Sequence, residues 1–353
     1  MNKKTKIFKI NPENPDIELI KQAAQILKDG GLVAFPTETV YGLAAITTQD
    51  LAVEKLRYIK QRNEEKKFSL CIYDTDQVLK YVKNVSTFKF KLMKKFWPRP
   101  LTLVLNGHDN QLVGLRIPDH PVTQLLLRET RDPVYGPSAN FAGEEPALSA
   151  EDVLESFDGR IDAVIDSGES KHGISSTVCE IDDQDQIKIL REGVITEAQI
   201  EKVKKTKNIL FVCTGNSCRS AIAEGLMKKV VKDNDLFEVS SAGVAAYEGM
   251  PASPEAIEVA KKRNADISAH KARRLTQDMV RAADLILVME QKHQQYILNY
   301  FTKAEKKIIL LKQFFPQAKG ILDIQDPIGR DLNFYDNVAE EIEKSIEGLM
   351  GEL

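Results

Sequence analysis

The amino-acid sequence predicts an α/β protein with two domains, and three observations support this. The chain has 353 residues, enough for two hydrophobic cores. From Ile209 onward, apolar segments alternate with amphipathic ones, as in a doubly wound parallel sheet. A basic connector, residues 202–207, precedes this alternation, so we place the domains at 1–204 and 205–353.

The composition excludes several classes of protein. Hydrophobic residues make up 42% and charged residues 29%, and the formal net charge is −3, which argues against a protein that binds nucleic acid mainly by electrostatics. The basic start lacks an apolar signal segment, and the apolar runs are too short to span a bilayer. Four cysteines without zinc-ligand spacing indicate a reduced protein. We therefore expect a cytoplasmic protein without membrane contact.

The first predicted elements are a helix and a buried strand. Asp16 is a suitable N-cap for an apolar stripe at helical spacing, which ends at Gly30. Leu32–Phe35 is then a short strand, followed by a polar cluster at 36–43. This cluster has two interpretations, a ligand site at a strand end or a hydrogen-bonded turn.

Further elements follow in order. We expect a helix at 51–61, a charged loop to residue 67, a strand at 68–73, a helix at 78–95, and strands at 101–105 and 113–117. Arg116 lies in the last strand, where an arginine is costly unless it meets an anion or a carboxylate. Small-residue turns at 136–140, 173–178 and 190–193 carry further polar side chains, which suggests one site built from several loops.

Seven segments of this half occur in the order found in the YrdC family, which the chain resembles over about residues 7–200. They are Pro36–Leu43, Lys60-x-Arg62, Phe96-Trp97-Pro98-x-Pro100-Leu101-Thr102, Leu115–Pro118, Pro137–Asn140, Ser176-Thr177 and Leu190-Arg191-x-Gly193, where x is a residue outside the motif. The resemblance implies a twisted α/β sheet with a basic cleft. It also implies L-threonylcarbamoyl-AMP synthesis from L-threonine, bicarbonate and ATP, with the product used by the machinery that modifies tRNA.

The resemblance assigns roles that suit the residue types. Binding of L-threonine is implied for Thr37, Arg116 and Ser176. Binding of ATP is implied for Lys60, Arg62, Ser138, Asn140 and Arg191, with Mg²⁺ on the phosphates and no dedicated metal site. The family pattern is altered at Asn63, at 66–68 and at Arg99. A non-catalytic, RNA-binding paralogue is therefore the alternative.

The second half opens with an apolar strand that runs into Cys213-Thr214-Gly215-Asn216-Ser217-Cys218-Arg219-Ser220, followed by a helix. Such a loop directs backbone N–H groups inward, and the helix start adds positive potential. Cys213 is then expected to ionise more easily than a free cysteine, and Arg219 can hold a phosphate through paired hydrogen bonds. The alternative, in which Cys213 merely ends a buried strand, explains the loop composition less well.

Together with 240–243, 268–273, 283–289 and Asp326-Pro327, this loop resembles the low-molecular-weight protein phosphatases over 207–353. The resemblance implies a flavodoxin-like sheet, Cys213 as nucleophile, Arg219 as phosphate clamp and Asp326 as general acid and base. It further implies that Asn216 orders the loop, that Ser220 holds the thiolate and that Cys218 can form a reversible disulfide with Cys213. No cofactor is implied.

The substrate of this domain is less well defined. Arsenate reductases of the family need further cysteines, and none follows Cys218. Tyrosine-specific members usually carry an aliphatic residue at the position of Ser217 and a tyrosine at that of Ile328, whereas phosphoarginine members favour threonine at the first. Ser217 therefore favours phosphoarginine in a phosphoprotein over phosphotyrosine.

Overall fold

The computed structural model describes residues 4–61, 67–141, 143–316 and 318–353. Contacts divide the chain into two compact units, one ending at Glu201 and the other beginning at Lys202. The division falls within a helix at Glu197–Lys205. The domain boundary expected at 204/205 lies slightly later in the same helix and stays a prediction.

The described part of the N-terminal unit forms a ten-stranded mixed sheet. Its strands are β1 (Lys6–Lys9), β2 (Val33–Phe35), β3 (Gly42–Ile46), β4 (Leu70–Cys71), β5 (Leu101–Asn106), β6 (Leu112–Arg116), β7 (Val134–Tyr135), β8 (Ala163–Asp166), β9 (Thr177–Ile181) and β10 (Ile187–Arg191). Their spatial order is β1-β8-β2-β3-β7-β4-β6-β5-β9-β10. The parallel pairs β5–β9 and β4–β6, with antiparallel β5–β6 between them, place three distant segments side by side.

Helices cover the two faces of the part of this sheet that contains β2, β3 and β8. The helices of the unit are α1 (Ile17–Lys28), α2 (Asp50–Ile59), α3 (Thr87–Phe96), α4 (Pro121–Thr130), α5 (Ala150–Phe157) and α6 (Glu197–Lys205). One core joins α1 and α4 to the sheet, and another joins α2 and α5 to it. The expected α/β class is confirmed for this unit.

The helix expected at 78–95 is wrong in its first half. The chain forms a 3₁₀ turn at Thr75–Lys80 and begins α3 only at Thr87, where the Ser86 side chain accepts a hydrogen bond from the Lys89 amide. Between them, Val82 forms a β-bridge to Gly107. A capping serine and a tertiary contact therefore override the helical pattern.

The C-terminal unit has a four-stranded, fully parallel sheet in its described residues, with the order β12-β11-β13-β14. The strands are β11 (Lys207–Cys213), β12 (Phe237–Gly243), β13 (Leu285–Val288) and β14 (Ile308–Leu310). The helices are α7 (Arg219–Val230), α8 (Pro254–Lys262), α9 (Gln277–Ala282), α10 (Gln291–Tyr300) and α11 (Leu332–Met350). One core packs α7, α8 and α11 on one face, and another packs α9 and α10 on the opposite face. The expected flavodoxin-like, doubly wound sheet is confirmed.

The described segments contain no helix with the length and apolar character needed to cross a membrane.

The N-cap of α1 allows a test of how much helix capping contributes to the stability of the N-terminal unit. Asp16 accepts hydrogen bonds from the amides of Glu18 (2.9 Å) and Leu19 (3.2 Å). We expect Asp16→Ala to lower the free energy of unfolding of this unit by about 1 kcal/mol, because two helix-terminal N–H groups lose their acceptor. Trp97 is the only tryptophan of the chain and is buried in this unit, so its fluorescence during urea unfolding measures the effect.

The matched control is Asp50→Ala at the first turn of α2, where the N-cap residue Gln49 makes no side-chain cap hydrogen bond. We expect a change within about 0.5 kcal/mol there. Equal effects of the two substitutions would contradict the capping role of Asp16.

Candidate functional sites

A cleft of about 640 Å³ gathers residues from eight separate segments of the N-terminal unit. Six of the residues predicted from the sequence line it, namely Thr37, Lys60, Arg116, Ser138, Ser176 and Arg191. Asn140 does not line the cleft but contacts Ser138, whose hydroxyl donates to Asn140 Oδ1 at 2.6 Å. Arg62 lies outside the described residues.

The polar segment after β2 is a tightly hydrogen-bonded turn on the cleft wall. The Thr37 hydroxyl donates to the Val40 carbonyl at 2.6 Å and accepts from the amides of Thr39 and Val40 at 3.1 and 3.2 Å. The hydrogen-bonded turn is therefore confirmed, whereas the ligand site stays a prediction for Thr37, which lines the cleft.

Arg116, at the end of β6, meets a buried carboxylate. Its Nη2 lies 2.7 Å from Glu38 Oε1 and donates to Thr39 Oγ1 at 2.8 Å, while Glu38 Oε2 accepts from the Asp119 amide at 2.9 Å. The Arg116 Nε is buried without a hydrogen-bond partner among the described residues. Glu38 thus holds the Arg116 guanidinium in place from one side, and Arg116 lines the cleft.

Lys60 holds the Ser138–Asn140 loop. Its ammonium donates to the Ser138 carbonyl at 2.8 Å, to Asn140 Oδ1 at 3.1 Å and also to the Asn140 carbonyl. The Lys60 side chain is buried, so its ammonium is removed from water. These protein oxygens accept the hydrogen bonds that water would otherwise accept. A lysine predicted from the sequence as a ligand for phosphate therefore also organises the neighbouring loop.

Hydrogen bonds join Arg191 to Ser176, and the two backbone segments pack closely. The Arg191 Nε and Nη2 donate to the Ser176 carbonyl at 3.1 and 2.9 Å, and Nη2 also reaches Ser176 Oγ at 3.3 Å. A Cβ on Gly193 would lie 2.2 Å from the Ser175 carbonyl oxygen, so only glycine fits there. The close approach of these two segments explains the Arg191-x-Gly193 spacing.

Some cleft residues were not selected from the sequence. Thr102 lines the cleft and lies 2.9 Å from Ser176 Oγ, measured from its Oγ1, and Cys71 lines the cleft as well. Burial raises the pKa of the Cys71 thiol to about 11, so at neutral pH the thiol is protonated and unreactive and behaves as an apolar side chain. Thr102 belonged to a family motif, but nothing local distinguished it from an ordinary strand threonine.

In the C-terminal unit, β11 ends at Cys213 and α7 begins at Arg219, so the predicted strand–loop–helix arrangement is present. Cys213 Sγ accepts from the Asn216 amide at 3.2 Å and lies 2.8 Å from Ser220 Oγ. Asn216 has a φ of 56°, in the left-handed region that turns the chain back over the sulfur.

The side chain of Asn216 ties this loop to its surroundings. Its Nδ2 donates to Ser220 Oγ at 2.9 Å and to Ser241 Oγ at 2.7 Å, and its Oδ1 accepts from the Arg273 amide at 2.8 Å. His270 Nε2 lies 2.7 Å from the Asn216 carbonyl oxygen. These partners are Ser241 on β12 and His270 and Arg273 before α9. From the sequence they were identified only as residues of family motifs, without an assigned role.

Arg219 brings the predicted general acid into the site. Its side chain is only 1% exposed, and Nη2 lies 2.6 Å from Asp326 Oδ2. Nη1 lies 2.5 Å from Glu290 Oε1 and donates to the Ile324 carbonyl at 2.7 Å. Glu290 was not predicted from the sequence, because nothing near it in the chain signals a partner 71 residues away.

The expected ease of ionisation of Cys213 is not found. Burial raises the pKa of its thiol, although the Ser220 hydroxyl, the Arg219 charge and the Asn216 amide each act to lower it. The physical reason is burial, because removal of the sulfur from water disfavours the thiolate more than these three groups favour it.

Two further residues of the loop have defined neighbours. Thr214 Oγ1 lies 2.9 Å from Nε2 of the fully buried His293, whose pKa is lowered to about 4 by burial and by the Arg219 charge. Cys218 is a free thiol whose Sγ lies 3.3 Å from the Tyr335 hydroxyl. Its predicted disulfide with Cys213 stays a prediction. Gly215 and Ser217 are partly exposed at the rim of the loop.

In residues 4–61, 67–141, 143–316 and 318–353, no group of three or more His, Cys, Asp or Glu side chains could hold a metal ion.

The packing of β12 against the loop leads to a prediction. A Cβ on Gly243 would lie 2.5 Å from the Thr214 carbonyl oxygen and 2.9 Å from the Asn216 amide nitrogen, both of which are backbone atoms. We expect Gly243→Ala to displace the loop and to reduce hydrolysis of an aryl phosphate by about tenfold or more. Ser240→Ala, three residues earlier in the same strand, should retain nearly the parent rate, and an unimpaired Gly243→Ala protein would contradict this geometry.

Comparisons with known proteins divide the chain in the same place. The family model Sua5/YciO/YrdC, described as telomere recombination, matches residues 25–193. The model for low molecular weight phosphotyrosine protein phosphatase matches residues 208–353.

Three curated relatives cover the two parts. Threonylcarbamoyl-AMP synthase of Bacillus subtilis is 38% identical over 194 residues, which are 52% of this chain and 56% of the relative, so the chain spans only about half the length of that protein. A Methanocaldococcus jannaschii relative, whose name also carries threonylcarbamoyl-AMP synthase, is 34% identical over 203 residues, 55% of this chain and 94% of its own length. Protein-arginine-phosphatase of Bacillus subtilis is 34% identical over 147 residues, 41% of this chain and 96% of the relative.

Among solved structures, Pyrococcus abyssi Sua5 complexed with L-threonine is similar with a TM-score of 0.54 at 25% identity. The similarity covers 87% of this chain and 99% of that one.

Proposed function

We propose two activities for this chain, whose N-terminal part belongs to the Sua5/YciO/YrdC family and whose C-terminal part belongs to the low-molecular-weight phosphotyrosine protein phosphatase family. Curated members of both families are named as enzymes. The N-terminal unit would make L-threonylcarbamoyl-AMP and pyrophosphate from L-threonine, bicarbonate and ATP. The C-terminal unit would hydrolyse a phosphorylated side chain of a protein.

The convergence of six separately predicted residues on one cleft carries the first proposal. We assign the amino acid to Thr37, Arg116 and Ser176, because the Arg116 guanidinium, already fixed by Glu38, can pair with a second carboxylate. The choice of L-threonine as the amino acid is supported by the Pyrococcus abyssi relative, whose structure was solved in complex with it.

We assign ATP to the remaining predicted residues of this site. Ser138 and Asn140, which Lys60 fixes in place, would bind the nucleotide. Arg191, together with Arg62 and the charge of Lys60, would stabilise the phosphates as pyrophosphate leaves. Mg²⁺ would arrive on the phosphates, because octahedral Mg²⁺ is usually held by phosphate oxygens and water with few protein ligands. The product would be consumed by the tRNA-modifying machinery.

The second proposal rests on the placement of Cys213, Arg219 and Asp326 around one loop. An incoming phosphoryl group would compete with Asp326 and Glu290 for the N–H groups of Arg219. The Cys213 thiol would first lose its proton to solvent, and the resulting thiolate would attack phosphorus while protonated Asp326 gives its proton to the departing oxygen or nitrogen. Asp326 would then take a proton from the water that hydrolyses the phosphocysteine, which returns the free thiolate and inorganic phosphate.

Phosphoarginine is the favoured substrate and phosphotyrosine the alternative. The first is supported by Ser217 and by the protein-arginine-phosphatase relative, the second by the naming of the family. Parallel assays on phosphoarginine and phosphotyrosine peptides of equal sequence decide between them through the ratio of kcat/KM values.

The synthase proposal predicts a product. Incubation of the full chain with L-threonine, bicarbonate and ATP should yield pyrophosphate and threonylcarbamoyl-AMP, detected by mass spectrometry. Arg116→Lys should raise the KM for L-threonine by about tenfold or more, because the paired N–H geometry is lost. Absence of product from the parent chain, with RNA binding intact, would favour the non-catalytic paralogue and contradict the proposal.

The phosphatase proposal predicts that removal of the nucleophile Cys213 and removal of the acid Asp326 reduce the rate of hydrolysis in different ways. Cys213→Ser should reduce aryl phosphate hydrolysis by about 10³-fold or more, since the nucleophile is removed, whereas Cys179→Ala, a buried thiol in β9, should not. Asp326→Ala should slow substrates with poor leaving groups more than those with good ones, because only the former need a proton. Equal slowing across leaving groups would count against Asp326 as the acid.

A further inference from the structure

Thr102 lies between two residues assigned to the amino acid. In the antiparallel pair β5–β6, Leu103 is opposite Leu115, so Thr102 and Arg116 occupy the next position along the two strands and share a face of the sheet. On the other side of β5, the parallel strand β9 brings Ser176 Oγ within 2.9 Å of Thr102 Oγ1. All three side chains line the same cleft.

The hydroxyl pair has one proton more than its mutual hydrogen bond uses. Thr102 and Ser176 are both buried, and each carries one O–H group. One proton lies in the bond between them, and the described residues offer no protein acceptor for the other. A buried donor of this kind costs free energy unless it meets an acceptor in the cleft.

The direction of the pair follows from Arg191. Its Nη2 donates to Ser176 Oγ at 3.3 Å, so this oxygen already accepts from a cation. A hydroxyl that accepts from a cation is a stronger donor, and hydrogen bonds in a head-to-tail chain reinforce one another. The consistent order is Arg191 to Ser176 to Thr102, which leaves the Thr102 proton directed to the cleft beside Arg116.

We propose that Thr102 is a further amino-acid-binding residue, whose hydroxyl donates a hydrogen bond to the substrate carboxylate that Arg116 pairs with. The inference rests on the proposed synthase function for its substrate. Threonine suits this place because its β-branched side chain has few rotamers, which keeps the hydroxyl aligned. A strand of the sheet thereby contributes to substrate binding together with the loops.

The test uses the full chain and three variants. Thr102→Val removes the hydroxyl at nearly constant volume, and Thr102→Ser restores it. Thr130→Val is the control, because Thr130 is equally buried and its hydroxyl donates to nearby carbonyls at the end of α4. For each protein, the KM values for L-threonine and ATP are measured, L-threonine binding is measured by calorimetry, and Trp97 fluorescence reports folding.

We expect Thr102→Val to raise the KM and the Kd for L-threonine by about tenfold or more, because a hydrogen bond to a charged group is lost. The KM for ATP should stay within about twofold, and Thr102→Ser should restore most of the L-threonine affinity. Thr130→Val should leave both KM values near those of the parent.

Three results would overturn the inference: an unchanged L-threonine Kd in Thr102→Val, an equal rise in both KM values, or no rescue by serine. Failure of the synthase proposal is a different outcome, in which the parent chain forms no threonylcarbamoyl-AMP. The calorimetric comparison still decides the role of Thr102 in that case, and a parent chain that binds no L-threonine would overturn both.

Discussion

Buried cations need compensation from the protein itself, and this constraint shapes both sites. Arg219, Arg116 and Lys60 all have little exposure, and each is paired with oxygens of its own unit. Arg219 has two carboxylates, Arg116 has one, and Lys60 has carbonyl and amide oxygens. Under the proposed functions, an anionic ligand would have to share or replace the acceptors that hold these charges in position, which would set both the geometry of binding and part of its free-energy cost.

The local geometry of the phosphatase loop could be predicted from the sequence, because it depends on neighbouring residues. A strand that ends at Cys213, a tight turn and a helix that begins near Arg219 follow from apolar patterning and turn chemistry, whereas the left-handed conformation of Asn216 was not predicted. The position of Asp326 beside Arg219 followed only from the family resemblance. Glu290 was missed, since its partner is fixed by the register of β11 and β13 and not by any local pattern. The raised pKa of Cys213 was missed as well, because burial of the thiol is a tertiary effect.

The N-terminal sheet was less accessible to sequence reasoning. Its class and several strands were predicted, but the strand order brings together segments separated by more than a hundred residues, which periodicity does not encode. The helix expected at 78–95 failed because Ser86 caps a new helix and Val82 pairs with Gly107. Six of the eight predicted residues nevertheless line one cleft, while the pairing of Thr102 with Ser176 required the register of β5 and β9.

The contact between Arg191 and Ser176 has a thermodynamic consequence. Under the proposed assignment, one residue serves the nucleotide and the other the amino acid, and hydrogen bonds from Arg191 to the Ser176 carbonyl join them. A ligand that shifts Arg191 would therefore also change the environment of Ser176, and binding of the two proposed substrates would be energetically coupled. Linkage makes such coupling reciprocal: whatever factor ATP imposes on the affinity for L-threonine, L-threonine imposes on the affinity for ATP.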